Sequence, residues 1–179
     1  MRIRNCFLIL AIMCIGIASC GKKDFADASV NAIVPHPASI DTLDNGAFLL
    51  DGSAAVVYRG EGAEKAANFL KGYLKDYYGI TLRRMGSRKI VLQIVEDTSA
   101  VQGAYTLLSG PKKIVVEGKN EEGLFYGVQT LLQLLPANDT IADGLLVPAV
   151  KIEDAPAFEY RGMHLDVARH FMPVEFIKR

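Results

Sequence analysis

Tyr160-Arg161-Gly162-Met163-His164-Leu165-Asp166-Val167-Ala168-Arg169-His170-Phe171 is the stretch on which the interpretation of this chain depends. It begins like a β-strand, yet it carries four side chains that can hold a charge, Arg161, Asp166, Arg169 and His170. It follows a proline-containing joint at 153–156, and eight residues remain after Phe171. We therefore expect residues 1–156 to precede a second domain that this stretch opens, and most of that second domain to be missing.

Length and composition favour one globular domain with additional segments. The chain has 179 residues, half of them hydrophobic, and a formal net charge of zero. Nucleic-acid binding is not expected, because it requires a basic face. Gly118 and Gly123 have the spacing of a phosphate loop, but Leu124 and Phe125 stand where such a loop needs Lys and Ser or Thr. A turn capped by Asn120 explains the same residues, and no cofactor is expected.

The first twenty residues have the layout of a secretory signal. Arg2 and Arg4 precede an apolar run, 6–17, that is too short to span a bilayer, which takes about 20 residues. Ile17-Ala18-Ser19-Cys20-Gly21 resembles a bacterial lipobox, which implies cleavage before Cys20 and its lipidation. The alternative is an ordinary buried helix. The prediction is a signal peptide at 1–19, a lipidated Cys20 with a tether to residue 31, and a lipid anchor in the bacterial cell envelope that faces the periplasm or the cell surface.

Residues 32–153 have the hydrophobic pattern of an α+β domain. Apolar residues spaced by three and four predict a helix over 61–78 and a second helix that Asn120 caps and Pro136 ends, with Leu124, Phe125 and Leu131 in its buried stripe. Extended structure is predicted at 33–37, 47–50, 54–58, 89–95, 104–108, 112–117 and 145–152, and Asn45-Gly46 is typical of a hairpin turn. The fold class is therefore a mixed, largely antiparallel sheet with two amphipathic helices on one face.

Candidate catalytic and metal-binding residues are few. The histidines His36, His164 and His170 lie at no metal-ligand spacing, so a metal site is not expected. His36 between two prolines should be exposed, whereas His164 could be a hydrogen-bonded core residue. We find no Ser-His-acid set and no nucleophile elbow. The domain after Cys20 holds no thiol, which excludes a disulfide or a cysteine nucleophile.

Arg161 is the residue with the clearest binding potential. Its planar guanidinium offers five donors in fixed geometry, which suits a carboxylate, a phosphate or adjacent sugar hydroxyls. From its spacing alone, a purely structural role is favoured over a binding role. Asp166 and Arg169 could form an ion pair that closes the turn after the strand.

Three segments resemble glycoside hydrolase family 20, the β-N-acetylhexosaminidases. Residues 158–173, Phe-Glu-Tyr-Arg-Gly-Met-His-Leu-Asp-Val-Ala-Arg-His-Phe-Met-Pro, are similar to the opening of that family's catalytic barrel. Residues 122–135 resemble the second helix of its N-terminal accessory domain, and Val34-Pro35-His36-Pro37 resembles that domain's first strand. The resemblance covers about residues 32–179.

The resemblance implies a two-domain enzyme, with the accessory domain at 32–153 and the truncated start of a (β/α)8 barrel at 154–179. Such an enzyme removes terminal N-acetylglucosamine or N-acetylgalactosamine from glycans, and the substrate's own acetamido oxygen is the nucleophile. The Asp-Glu pair that assists this reaction has no counterpart here, so this chain alone should be inactive. The family's arginine that holds the hydroxyls at C3 and C4 of the terminal sugar matches Arg161.

Two alternatives remain open at this stage. One is another glycosidase family with a similar accessory domain, such as family 84. The other is a stand-alone, lipid-anchored module that binds a glycan or a partner.

Overall fold

The structure is a computed structural model that describes residues 26–27, 30–95, 97, 100–136, 144–160 and 162–178. Within these ranges the strands are β1 (Ala26–Asp27), β2 (Ser39–Thr42), β3 (Phe48–Leu50), β4 (Ala55–Arg59), β5 (Lys89–Ile94), β6 (Tyr105–Gly110), β7 (Lys113–Gly118), β8 (Leu145–Val147) and β9 (Val150–Asp154). The helices are α1 (Ala63–Tyr78), α2 (Glu121–Gln133) and the short α3 (Val174–Ile177), with a 3-10 turn at Val30–Ala32.

Two sheets organise these strands. The larger sheet has six strands in the order β2-β9-β6-β7-β5-β4. Three of its five pairings are antiparallel, and the β7-β5 and β5-β4 pairings are parallel. The smaller sheet has the order β1-β8-β3. The predicted mixed, mostly antiparallel sheet is therefore confirmed.

Both long helices begin and end where the sequence indicates. The Asn120 side chain accepts a hydrogen bond of 2.8 Å from the backbone N–H of Gly123, which satisfies a donor that the first turn of α2 leaves unpaired. Gly79 follows α1 in the left-handed conformation at φ 65°, where its N–H bonds the carbonyl of Lys75. These two contacts fix the carboxyl end of α1 and the amino end of α2.

The two helices cover one face of the larger sheet. Leu70 and Leu74 of α1 and Leu124, Val128 and Leu131 of α2 are buried. A Cβ built on Gly127 would lie 2.4 Å from Cγ1 of Val116, so the absence of a side chain lets α2 approach β7 closely. The opposite face of the sheet carries alternating exposed charges such as Lys89, Lys151 and Glu153. The main core therefore lies between the helices and the sheet.

Proline changes the outcome for two of the predicted extended segments. The sheet begins at Ser39 rather than within 33–37, because Pro35 and Pro37 have no N–H to donate to a ladder. The predicted strand 145–152 is interrupted at Pro148, so that β8 lies in the smaller sheet and β9 in the larger one. Each proline ends or delays the pairing that the apolar pattern alone favours.

Three further expectations require correction. Gly46 adopts φ 87° in a turn, but this turn joins β2 of one sheet to β3 of the other and forms no hairpin. Phe125, predicted to be buried in α2, is 39% exposed. The described residues of 160–171 form no strand, because no described strand lies beside them to share a ladder of hydrogen bonds.

Candidate functional site

The two predicted site residues lie outside the described residues. Arg161 is the one position between 144 and 178 that the structure does not describe, and Cys20 lies in the undescribed first 25 residues. The site is therefore built from the residues that surround Arg161 along the chain.

The segment 158–178 extends from the α+β domain with its apolar side chains in solvent. Phe158 is 72% exposed, Tyr160 88% and Phe171 85%. His164, which could have been a core histidine, is exposed, as is His36. Large exposed apolar side chains at this density are typical of a surface that another part of a protein covers.

Asp166 acts locally rather than as an ion-pair partner. Its Oδ1 accepts a hydrogen bond of 2.9 Å from the backbone N–H of Ala168, which forms an Asx turn. The expected ion pair between Asp166 and Arg169 is not formed, since these two described residues share no salt bridge. The hydrogen bond between the Asp166 side chain and the Ala168 backbone therefore closes the turn after the predicted strand.

A hydrogen-bond network holds the joint between the α+β domain and this segment. The Tyr105 hydroxyl lies 2.6 Å from Oγ1 of Thr130 on α2 and donates to Oδ2 of Asp154 at 3.2 Å. The other oxygen of Asp154 accepts from the backbone N–H of Ala38 at 3.1 Å. One carboxylate at the end of β9 thus connects β6, α2 and the approach to β2, and it fixes where the chain leaves the domain.

Burial raises the pKa of Tyr105 to about 12. The hydrogen bond with Thr130 opposes this shift, and the neighbouring Asp154 carboxylate adds to it, because a phenolate beside a carboxylate would be repelled. Tyr105 itself is 4% exposed, whereas Asp154 is partly exposed, so the network runs from the core to the surface of the joint. Tyr105 is a hydrogen-bonding residue of the joint.

A cavity of about 580 Å³ lies next to this network. Its lining includes Tyr105, Tyr126 and Gln129 on one side and Asp154, Pro156 and Phe158 on the other. Val34 donates its N–H to Oε1 of Gln133 at 2.8 Å at the edge of the same region. The cavity therefore lies between α2 and the segment that leads to Arg161.

Sequence reasoning did not find this network. Tyr105 and Thr130 read as ordinary strand and helix residues, and Asp154 reads as part of a proline-rich joint. The one signal in the sequence was an acidic residue, Asp154, at the end of an apolar predicted strand and shortly before Pro156. Only the register of β6 against β9, which places Tyr105 opposite Asp154, brings the groups together.

Family models match nearly all of the described chain. The model for glycosyl hydrolase family 20, domain 2, matches residues 30–155, and the model for the family's catalytic domain matches residues 158–179. The chain belongs to glycosyl hydrolase family 20. The boundary between the two matches coincides with the Asp154 joint.

Relatives in family 20 agree with this assignment. A β-hexosaminidase of Vibrio furnissii is 39% identical over 153 residues, which are 86% of this chain and 24% of the relative. A β-hexosaminidase of Porphyromonas gingivalis is 33% identical over 162 residues, with 86% and 21% covered. The chain thus spans about a quarter of the length of these relatives.

Solved structures show the same fold. The exo-β-N-acetylglucosaminidase of Vibrio harveyi in complex with N-acetylglucosamine superposes with a TM-score of 0.69 at 29% identity, covering 85% of this chain and 23% of that chain. The family 20 β-N-acetylhexosaminidase of Streptomyces coelicolor gives a TM-score of 0.70 at 28% identity, with 82% and 31% covered.

Proposed function

We propose that this chain is the amino-terminal part of a β-N-acetylhexosaminidase that removes terminal N-acetylglucosamine or N-acetylgalactosamine from glycans. The observation that carries the proposal is the succession of the two family matches, 30–155 and then 158–179, on either side of one structured joint. The relatives named as β-hexosaminidases support the same activity.

In this proposal the α+β domain supports the catalytic domain and performs no chemistry. The substrate's acetamido oxygen attacks the anomeric carbon, as the family resemblance implies, so the protein supplies no nucleophile. The acid-base and acetamido-orienting carboxylates belong to the part of the barrel beyond residue 179. The contribution of 158–179 is to begin the barrel and to present Arg161.

Arg161 holds adjacent hydroxyls of the terminal sugar. A guanidinium places two N–H donors side by side, and two neighbouring hydroxyl oxygens accept them. Barrel sites lie at the carboxyl ends of strands, whereas Arg161 stands at the start of its segment. A long side chain is therefore needed to reach a sugar whose C4 end enters a deep pocket first.

The test uses the extended chain, which we define as residues 1–179 followed by the portion of the Vibrio furnissii β-hexosaminidase beyond the matched region. It should hydrolyse a chromogenic N-acetylglucosaminide. Arg161→Lys keeps the charge but loses the paired donors, so kcat/KM should fall by roughly ten- to a hundred-fold, the value of one charged hydrogen bond.

Arg84→Lys is the matched control, since Arg84 is exposed on the α+β domain and far from the joint in sequence. It should leave kcat/KM unchanged. Equal kinetics for Arg161→Lys and the unsubstituted extended chain would show that Arg161 does not bind substrate.

The lipobox-like sequence Ile17-Ala18-Ser19-Cys20 supports a second part of the proposal, namely that the chain is anchored in the cell envelope through a lipid on Cys20. In the described residues, no helix has the length and apolarity to cross a membrane. Cys20→Ala should move the protein from the membrane fraction to the soluble fraction, or stop its processing. An unmodified mature N-terminus elsewhere, observed by mass spectrometry, would contradict the lipid anchor.

A further inference from the structure

The charges of this chain balance in total but are unevenly placed along the larger sheet. The parallel strands β4, β5 and β7 all begin at one end of that sheet, where Lys89 and Lys113 lie in register. Arg83 donates its backbone N–H to the carbonyl of Ala54 at 2.9 Å, and the carbonyl of Lys112 accepts the N–H of Lys89 at 3.1 Å, so both residues lie at this end too. We call the set the basic end; its members are Arg83, Lys89, Lys112 and Lys113.

The side chains of the basic end have no acidic partner within the described part of the chain. All of them are exposed, and none takes part in a salt bridge there. The Asp51 carboxylate, beside this end, is already held by Arg88 at 2.7 Å, and Asp44, in the turn before β3, offsets only part of the positive charge. Like charges side by side on adjacent strands are destabilising, and Lys89 and Lys113 are such a pair. A cluster kept at a cost to folding indicates an anionic partner outside the domain.

The opposite end of the same strands, which we call the acidic end, carries the other sign of charge. Glu61, Asp97 and Glu121 line a cavity of about 520 Å³ beyond the carboxyl ends of β4, β5 and β7. Lys65 at this end is paired with Glu121 at 2.9 Å, and Arg59 at the end of β4 offsets part of the remaining negative charge. The two ends are separated by about 20 Å, because each residue of a strand rises about 3.3 Å. The domain is therefore electrically polarised along its strands.

The first described residues of the chain lie at the basic end. Strand β1 pairs with β8, and β8 pairs with β3, which ends one residue before Asp51. Asp51 in turn bonds Arg88, the neighbour of Lys89 in the sequence. Cys20 precedes β1 by six residues, a length of at most about 22 Å. A lipid on Cys20 is therefore tethered nearer to the basic end than to the acidic end.

We propose that the basic end binds the anionic phospholipid headgroups of the membrane in which Cys20 is anchored, and so orients the domain. This inference rests on the lipid anchor of the proposed function, because the tether holds the membrane surface at a high effective concentration. Each Lys or Arg near an anionic surface adds to an attraction that decays over a Debye length of about 10 Å at 0.1 M salt. The attraction is therefore weak without the lipid, and the acidic end is repelled. The joint at Asp154, level with Gly118 across β6, then points away from the membrane.

Vesicle binding by residues 21–179 tests the charge in the absence of the lipid. These residues keep all of the described chain and leave out the apolar run at 6–17, which would itself enter a bilayer. They should bind vesicles of phosphatidylcholine mixed with phosphatidylglycerol more tightly than vesicles of phosphatidylcholine alone. Raising the salt from about 0.1 M to about 1 M should abolish this difference, because the Debye length falls to about 3 Å.

Lys89→Glu combined with Lys112→Glu reverses charge at the basic end. It also places a carboxylate beside Lys113, so thermal unfolding should show no loss of stability. Binding to the phosphatidylglycerol vesicles should fall by about tenfold or more. The matched control is Arg59→Glu combined with Lys65→Glu, which changes the net charge equally at the acidic end and should lower binding by less than about twofold. Equal loss in both variants, or equal binding of the unsubstituted chain to the two kinds of vesicle, would overturn the proposal.

Two outcomes separate this proposal from the lipid anchor. An unmodified Cys20, in a chain whose residues 21–179 bind anionic vesicles through the basic end, would sink the anchor and leave the membrane-binding end in place. A lipidated Cys20, with vesicle binding that Lys89→Glu and Lys112→Glu do not change, would do the reverse. Tighter binding of residues 21–179 to a soluble anionic polysaccharide than to the vesicles, lost in the same variant, would assign the basic end to a polyanion and overturn the proposal.

Discussion

The Asp154 carboxylate bonds at once to the Tyr105 hydroxyl and to the N–H of Ala38. Asp154 is half-buried, and its two hydrogen bonds to different elements restrict the last residue of β9 to one position. Pro156 then stiffens the chain that follows. At the scale of residues, the direction of the segment that leads to Arg161 is set by a few hydrogen bonds rather than by a long interface.

Tyr105 should make the stability of the domain sensitive to alkaline pH. Its pKa is raised to about 12 in the folded chain, against about 10 for an unfolded tyrosine. The neutral phenol is therefore favoured by folding, with the full benefit present below about pH 10 and lost as the pH rises toward 12. Tyr105→Phe should lose about 1 kcal/mol near pH 7, the value of a hydrogen bond.

Urea unfolding from about pH 8 to about pH 11 measures this effect. Above about pH 10 the free energy of unfolding should fall more steeply with pH for the unsubstituted chain than for Tyr105→Phe. The stability advantage of the unsubstituted chain over the variant should therefore shrink. Other tyrosines and lysines titrate equally in both proteins. Parallel curves would mean that the phenol ionises as readily in the folded chain as in the unfolded one.

At the scale of elements, α2 is the helix on which both the sheet and the joint depend. Gly123 and Gly127 bring its backbone against Ala104 and Val116. Thr130 reaches Tyr105, and Gln133 reaches Val34. On its outer side the same helix carries Phe125, which is 39% exposed and contacts the Phe69 ring of α1.

The two helices offer a matched pair of glycine substitutions. A Cβ at Gly127 would lie 2.4 Å from Cγ1 of Val116 and 3.0 Å from the Tyr105 ring, whereas a Cβ at Gly72 of α1 would meet nothing within 4 Å. Gly72→Ala should stabilise the chain by about 0.4–1 kcal/mol through helix propensity. Gly127→Ala should destabilise it by about 1–3 kcal/mol, because an overpacked core must shift.

Thermal or urea unfolding of the two variants gives the comparison. If Gly127→Ala raised the free energy of unfolding as much as Gly72→Ala does, α2 would not pack closely on β7.

The sequence predicted those helices and strands whose residues carry a local signal, such as a periodic apolar pattern or a capping residue. Periodicity predicted α1 and α2, and Asn120 and Gly79 predicted two of their ends. The pattern could not predict that Pro148 moves β8 into a second sheet, because sheet membership depends on partners distant in sequence. It also placed Phe125 in the core, since the spacing of apolar residues along a helix does not tell a ring that faces the sheet from one that lies at the edge of the buried stripe.

The candidate site was predictable only through resemblance. The residue types of 160–171 left Arg161 with several possible ligands, and the similarity to family 20 reduced them to sugar hydroxyls. The Tyr105–Thr130–Asp154 network arises from strand register, which no single stretch of sequence reveals.

At the scale of the whole molecule, the chain combines a domain with a complete core and a segment with none. Residues such as Phe48, Leu70 and Leu131 are at most 1% exposed, whereas Phe158, Tyr160 and Phe171 are at least 72% exposed. A barrel needs eight strands to enclose a pocket, and the described residues of 158–178 form no strand. We therefore expect folding and catalysis to be separate, with the α+β domain folding around its own core and catalysis needing the domain that residues 158–179 begin.

Turnover of a chromogenic N-acetylglucosaminide by the purified 179-residue chain tests this separation most directly. The assay belongs beside an unfolding curve of the same sample, which should show a cooperative transition and so prove that the chain is folded. We expect a rate equal to that of buffer, because the described residues form no barrel that could enclose the sugar and the family's Asp-Glu pair has no counterpart in this sequence. Hydrolysis above buffer by the folded chain would place the chemistry in the α+β domain and contradict this expectation.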